Sequence, residues 1–361
     1  MNLYVCSTLR HFLFSISKAC CQPNERSAIL FFYDYQGVDK DKINKNIKNI
    51  NIEIILISRK ELFSKLKNSW LGKLTLFLSM RNIQPNEQVI KLTSYQLIKL
   101  KILKPSDFNN LSLFVFNDKN KVSRIFKLLI KKYEIIEDGV GNYYKIPKKG
   151  ISKYLNPINL KGLNTWVMGE SKRCTTINVV WPEKLPISVR EKGKAIEFLG
   201  KSEGLPSINT VFKFTPKLVN VQNNIVIIAT QPLSSTLANM LKDEDYFFYI
   251  HQCIARYMES EGKPYFIKLH PSEDIKDYLP YFDEDKFLSV KHPLELELLN
   301  SSNKVTVASI NSTAGLGFEN FCERRRLFRD EEMGFFDEQI MSWKNNPHLL
   351  KKRLEETFNS L

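Results

Sequence analysis

Short apolar runs of strand length, set between stretches of helical periodicity, constrain this chain more than any single residue does. The runs Asn2 to Cys6, Ala28 to Tyr33, Ile52 to Ile57, Leu111 to Phe116 and Tyr133 to Ile136 are candidate strands. Between them, Thr8 to Cys20, Lys60 to Arg81 and Lys121 to Lys132 repeat apolar residues at spacings of three and four, as amphipathic helices do. Strands alternating with helices predict βαβ units around a parallel sheet. Ligands of such sheets bind outside the carboxyl ends of the strands, so the residues just after each run are the first candidates for chemistry.

The pattern recurs further on, with strands at Ile225 to Ala229, Pro264 to Leu269 and Lys304 to Ala308 and helices at Asp243 to Glu261 and Leu294 to Leu299. A chain of 361 residues is long for one core and suits two domains. The expected fold class is therefore α/β, with two Rossmann-like domains facing a central cleft, which is the GT-B architecture. The expected boundaries are 1–221 for the first domain, 222–335 for the second and 336–361 for terminal helices that cross back onto the first. Within the first, residues 147–221 hold Pro157, Pro182, Pro186, Pro206 and Pro216 and read as an irregular connection.

Net charge is +14. Between Arg59 and Lys104 ten basic residues face only Glu61 and Glu87, a field that attracts an anionic partner such as lipid headgroups, acidic glycan or nucleic acid. A lysine-rich solvated surface accounts for the same charge. No stretch reaches the length of a membrane span, and the apolar start lacks a signal-cleavage pattern, so the chain reads as cytoplasmic with room for peripheral association with the inner membrane. Cys6, Cys20, Cys21, Cys174, Cys253 and Cys322 show no zinc spacing and read as reduced thiols. No phosphate-loop, dinucleotide or metal signature is present, and no specific nucleic-acid motif.

Two strand ends carry the most chemistry. Tyr133 to Ile136 runs into Glu137-Asp138-Gly139, where a carboxylate at a turn can act as a general base, although Glu-Asp-Gly is also an ordinary turn sequence. Pro264 to Leu269 runs into His270-Pro271, where an imidazole can serve a phosphate leaving group, although a loop histidine is the plain alternative and His292-Pro293 repeats the dipeptide. Ser312 and Thr313 precede Ala314-Gly315-Leu316-Gly317 and are expected at a helix N-terminus, where they either cap it or bind phosphate. Glu295 suits a ribose diol or simply a helix start, and Gln231 follows the first strand of the second domain. Lys268 and Arg173 are further candidates for anion contacts.

In this order the motifs resemble those of bacterial sialyltransferases of glycosyltransferase family 52 and the related polysialyltransferases. The start Asn2 to Thr8 with His11 is similar to the family's opening strand and loop, Glu137-Asp138-Gly139 to its acidic motif, Gln231-Pro232 to its glutamine after the first strand of the second domain, and His270-Pro271 to its His-Pro motif. Pro293-x-Glu295 and Ser312-Thr313 resemble its later motifs. Leu9-Arg10 departs from the family's proline-containing loop, and Thr313 stands where a second serine is usual. The resemblance implies an inverting, metal-independent transfer of sialic acid or a related nonulosonic acid from a CMP-activated donor, with no other cofactor, to an anionic or lipid-linked glycan of capsule or lipooligosaccharide type. It implies Asp138 as base, His270 as partner of the departing phosphate, and Gln231, Glu295, Ser312 and Thr313 as nucleotide contacts. Ser7, Thr8, Glu137 and Gly139 complete the implied substrate site. A GT-B enzyme of another nucleotide sugar, and a non-catalytic basic protein that binds polyanions or membrane surfaces, are the alternatives.

Overall fold

The computed structural model describes all residues except 46, 48–50, 82, 148–164, 200–203, 219–223, 242–244, 329–331, 333, 334, 360 and 361. It divides into two compact units, Met1–Phe214 and Thr215–Leu361. The expected boundary at 221/222 lies outside the described residues, and the division between the units follows Phe214.

The first unit begins with β1 (Asn2–Cys6), α1 (Leu9–Cys20), β2 (Ser27–Phe32) and β3 (Ile52–Ile57), followed by three helices, α2 (Arg59–Lys67), α3 (Trp70–Arg81) and α4 (Glu87–Lys99). Then come β4 (Ser112–Val115), α5 (Lys121–Phe126) and β5 (Tyr133–Ile136). The single helix expected over Lys60 to Arg81 is two helices, because Ser69 breaks the first and starts the second: its hydroxyl accepts from the Gly72 N–H at 3.0 Å. A side chain at Gly72 would place its Cβ 2.1 Å from the Leu66 carbonyl oxygen, so only glycine permits this tight turn between helices.

Residues 147–221 are not merely a connection. After a short antiparallel pair, β6 (Ile146–Pro147) with β7 (Thr165–Trp166), they supply β8 (Cys174–Val179) and β9 (Gly193–Ala195) to the main sheet and then α6 (Leu205–Phe212). The sheet has the order β3-β2-β1-β4-β5-β8-β9, and every pairing in it is parallel. β1 is buried along its whole length, as a central parallel strand covered on both faces must be. Strand order reverses between β1 and β4, which leaves a crevice at their carboxyl ends.

The second unit holds β10 (Val226–Ala229), α7 (Ser235–Leu241), α8 (Asp245–Ser260), β11 (Tyr265–Lys268), α9 (Leu294–Asn300), β12 (Val305–Ser309) and β13 (Cys322–Arg326). Its parallel sheet runs β11-β10-β12-β13, with the reversal between β10 and β12. The terminal helices α10 (Phe336–Asn345) and α11 (Pro347–Phe358), expected to cross back, lodge Ile340, Trp343, Leu350, Leu354 and Phe358 in the core of the second unit itself. Both units are thus α/β and Rossmann-like, as the alternation of strands and helices implies.

Trp343 is wholly buried in that core. Trp343→Ala is expected to destabilise the second unit by about 3–5 kcal/mol, since a large cavity replaces the indole. Urea unfolding followed by circular dichroism checks this, and a loss below about 1 kcal/mol would contradict the packing assigned to α10.

Candidate active site

In the first unit, the crevice between the carboxyl ends of β1 and β4 is a hollow lined by Ser7, Thr8, His11, Asn117 and Asp138, with Tyr35 and Phe116 beside them. Thr8 leaves β1 in an extended conformation and caps α1, its hydroxyl accepting from the His11 N–H at 3.1 Å. The cap puts His11 in the first helical turn, facing back over the strand ends. There its ring stacks on Phe116 with centroids 4.1 Å apart.

The backbone N–H of Ser7 donates to His11 Nδ1 at 3.3 Å, which makes that nitrogen an acceptor. The proton therefore sits on Nε2, which lies 2.5 Å from Asp138 Oδ1. Asn117 fixes the other carboxylate oxygen. Its Oδ1 accepts from the N–H groups of Lys119 and Asn120, both at 3.1 Å, so its amide nitrogen faces Asp138 Oδ2, at 3.2 Å. Below the carboxylate, Asn142 Oδ1 accepts from the backbone N–H of Asp138 and holds the turn. Gly139 takes a φ of +135° there, a conformation open to glycine alone.

Burial by itself would raise the Asp138 carboxyl. The hydrogen bond and attraction of His11, the Asn117 amide and the charge of Arg10 outweigh it and hold the group below the ordinary carboxylate value. Both ring nitrogens of His11 are engaged, whereas the Asp138 side chain keeps a quarter of its surface exposed. Asp138 is the group left open to the hollow, and His11 orients it.

Glu137 belongs to a different environment. Its carboxylate is buried away from the hollow, where it accepts from Arg10 Nη2 at 3.0 Å, from the Val180 N–H at 2.9 Å and from the Tyr143 hydroxyl. Of the residues expected to meet substrate, Ser7, Thr8 and Asp138 are brought together, while Glu137 and Gly139 shape the turn that carries Asp138. Arg173 is spent on structure: its guanidinium donates to the carbonyls of Ile83, Lys127, Ile130 and Lys131. His11 acquires its role, and Asn117 enters the site, only through contacts that span the sheet. Thr8 three residues before His11 is the one local signal, as a cap with a histidine in the first turn.

In the second unit the other candidates gather at the ends of β10, β11 and β12. Gln231 follows β10, and its Oε1 accepts from the Asn311 N–H beyond β12 at 2.8 Å, bridging the reversal point. His270 follows β11. Its backbone N–H donates to Thr230 Oγ1 and Glu273 Oε2, both at 3.0 Å, and its Nδ1 accepts from the Ser272 N–H at 3.2 Å. The exposed ring is left with Nε2 as its donor. Beside it, Lys268 is buried and donates to the Ser289 carbonyl at 2.6 Å. Burial lowers the Lys268 ammonium to about 8 against the pull of Glu295 and Glu297, which ties Glu295 electrostatically to this strand end.

The helix expected after Ser312 and Thr313 does not form. Residues 311–321 are turns, with Gly315 at φ +72° and Gly317 at φ +83°. Ser312 Oγ accepts from the Ala314 N–H at 3.2 Å, and Arg324 holds the segment through the Ser312 and Ala314 carbonyls. Ser312 and Thr313 therefore lie in a loop, without a helix dipole behind them. Among the described residues no group of three His, Cys, Asp or Glu side chains is placed to hold a metal ion.

No protein-family model and no curated protein matches the chain. Among solved structures it is similar to the α/β-galactoside α-2,3-sialyltransferase of the luminous marine bacterium Photobacterium phosphoreum, with a TM-score of 0.48, 13% identity and coverage of 95% of each chain. It is also similar to the UDP-GlcNAc 2-epimerase of Methanocaldococcus jannaschii, with a TM-score of 0.45, 11% identity and coverage of 99% of this chain and 93% of that one.

The low Asp138 carboxyl has a pH signature. It contributes stability that is complete above the unfolded value, about 4, and is lost as pH falls through the lower folded value. In His11→Ala, burial is no longer outweighed by the imidazole, and the carboxyl is expected to titrate at higher pH than in the wild type. Carbon-detected NMR titration of the side chain checks this. An unchanged titration would show that His11 does not hold the carboxylate.

Proposed function

We infer that the chain is a GT-B glycosyltransferase that moves sialic acid or a related nonulosonic acid from a CMP-activated donor to a glycan acceptor, with inversion at the anomeric carbon. The observation that carries this reading is the ionised Asp138, oriented by His11 and Asn117 in the hollow where the first sheet reverses its strand order. A carboxylate so placed accepts the proton of an acceptor hydroxyl as its oxygen forms a bond to the anomeric carbon. The bond from that carbon to the CMP phosphate breaks, and the electron pair leaves with the phosphate. His270, with Nε2 as its donor, stabilises or protonates the phosphate oxygen as CMP departs.

The second unit supports the nucleotide side of this reading. Gln231 and the loop bearing Ser312 and Thr313 stand at its sheet reversal, where a nucleotide is expected. Without a helix behind them, Ser312 and Thr313 act as hydroxyl donors to phosphate and not as an extension of a helix dipole. Glu295 is assigned to the ribose. Capsule or lipooligosaccharide is the proposed acceptor class, on the cytoplasmic side of the membrane.

Asp138→Asn is expected to lower kcat by at least about a hundredfold, and His270→Ala by about ten- to a hundredfold, with melting temperatures close to the wild type. The assay is CMP release from CMP-linked nonulosonic acids with and without glycan acceptors. Near-normal turnover by Asp138→Asn would remove it as the base. In a parallel thermal-shift series, CMP is expected to stabilise the chain more than CDP, UDP or GDP, and a preference for UDP would favour a different nucleotide-sugar transferase.

A further inference from the structure

Helix α3 (Trp70–Arg81) is built inside out for a helix of a water-soluble domain. Its packed face is Gly72, Thr75 and Ser79, which fall on one side of the helix. The two hydroxyls donate to the helix's own carbonyls, Thr75 to Leu71 at 3.0 Å and Ser79 to Leu76 at 2.7 Å, so this face asks for no polar partner. Leu76 packs against the core, but the largest apolar side chains, Trp70, Phe77 and Met80, point the other way. Trp70 is 75% exposed, Met80 63% and Phe77 48%, with Leu71 exposed beside them. A surface helix ordinarily buries such residues and shows its small and polar ones to water.

Cations are interleaved with this apolar face. Trp70, Lys73, Phe77 and Arg81 follow one another at spacings of three and four and form a single outward stripe, with the Arg81 guanidinium 5.2 Å from the Phe77 ring centre. On the neighbouring α4 (Glu87–Lys99), exposed Lys91, Tyr95 and Lys99 repeat the pattern at intervals of four. Between residues 59 and 104 the sequence holds ten basic residues and two acids; of the bases, Lys65 is paired with Glu61 at 2.5 Å and Lys104 with Glu53 at 2.9 Å.

We propose that the outward face of α3, with the adjoining face of α4, docks the protein on an anionic lipid bilayer surface. The aromatic and aliphatic side chains enter the boundary between headgroups and acyl chains, to a depth of about 5–10 Å, and the lysines and arginine meet lipid phosphates. Charge selects this occupant. A second copy of the same face would bring its own excess of cations against this one, and the repulsion opposes a symmetric pairing. Leu71 and Met80 offer no stacking surface to nucleic-acid bases, whereas hydrocarbon receives them. The inference goes beyond the transfer reaction and does not depend on which sugar is transferred.

The test mixes the full chain with vesicles of phosphatidylglycerol and phosphatidylcholine, and separately with pure phosphatidylcholine. Sedimentation measures binding, and brominated acyl chains quench tryptophan fluorescence at the insertion depth. The wild type is expected to bind the anionic vesicles at least about tenfold more tightly than the neutral ones and to show quenching that disappears in Trp70→Phe. Trp70→Ser/Phe77→Ser/Met80→Ser and Lys73→Glu/Arg81→Glu are each expected to weaken binding at least about tenfold without lowering the melting temperature. The proposal is overturned if the wild type stays in the supernatant, or if it binds without quenching of Trp70. It is equally overturned if the triple variant binds as well as the wild type, or if the wild type is a dimer in solution that these substitutions dissociate. Because no nucleotide or acceptor is present, failure here leaves the transferase reading to its own assays.

Discussion

The first unit depends on one buried carboxylate. Glu137 sits where water cannot solvate it, and the cost of that burial is several kcal/mol unless hydrogen bonds replace the lost water. Arg10 from α1, the Tyr143 hydroxyl from the turn after β5 and the Val180 N–H at the end of β8 supply them. Burial together with the negative charge of Glu137 pushes the Tyr143 phenol far up, so it stays a donor. Three separate segments are thereby tied to the last residue before Asp138. Neighbouring residues at a strand end project to opposite sides, and a Glu137 anchored inward leaves Asp138 directed into the hollow.

The two units solve the same positional problem by different means. Each has a parallel sheet with a reversal of strand order, and each gathers polar residues there. In the first unit, side chains hold side chains: His11 and Asn117 secure both oxygens of Asp138, and the Asn117 amide is itself oriented by two backbone N–H groups. In the second, side chains hold backbone: Gln231 and Glu273 accept from N–H groups, and Arg324 donates to carbonyls. The first arrangement fixes the direction of a reactive group, which suits proton transfer. The second fixes the backbone of the loops after the strands.

Local pattern revealed the elements whose identity is set by local burial. β1, β3 and β5 coincide with their apolar runs to the residue: β1 is buried throughout, β5 at all but Glu134, and β3, at the sheet edge, is apolar enough to be read although only Ile52 and Ile54 are fully buried. β13 escaped notice because Cys-Glu-Arg-Arg-Arg carries charges that a sheet edge accepts and an interior strand does not. β8 and the three-residue β9 lie in a proline-punctuated region that reads as loop, although Ile177 and Val179 pack in the main core. The Ser312-Thr313 segment has the composition of a helix start, yet Gly315 and Gly317 adopt left-handed conformations that carry the chain directly into the next strand. Asp138 was legible as the end of a strand with a turn behind it. His11 and Asn117 were not legible as its partners, since their meeting depends on the order of the strands and no local spacing encodes that.

The placement of α10 and α11 bears on how the chain folds as it is made. Trp343, Leu350, Leu354 and Phe358 fill the same core as Val226 and Ile254, so the second unit encloses its apolar centre only after residues as late as 358 are available. Among the described residues, the seven-stranded sheet of the first unit and the core cluster beneath it are built from residues before Phe214, so this part can reach a compact state while the rest is still being synthesised. For the time it takes to add the intervening residues, the half-built second unit shows uncovered strands and apolar helix faces to the cell. A truncation within α11 would therefore uncover the apolar centre of the second unit.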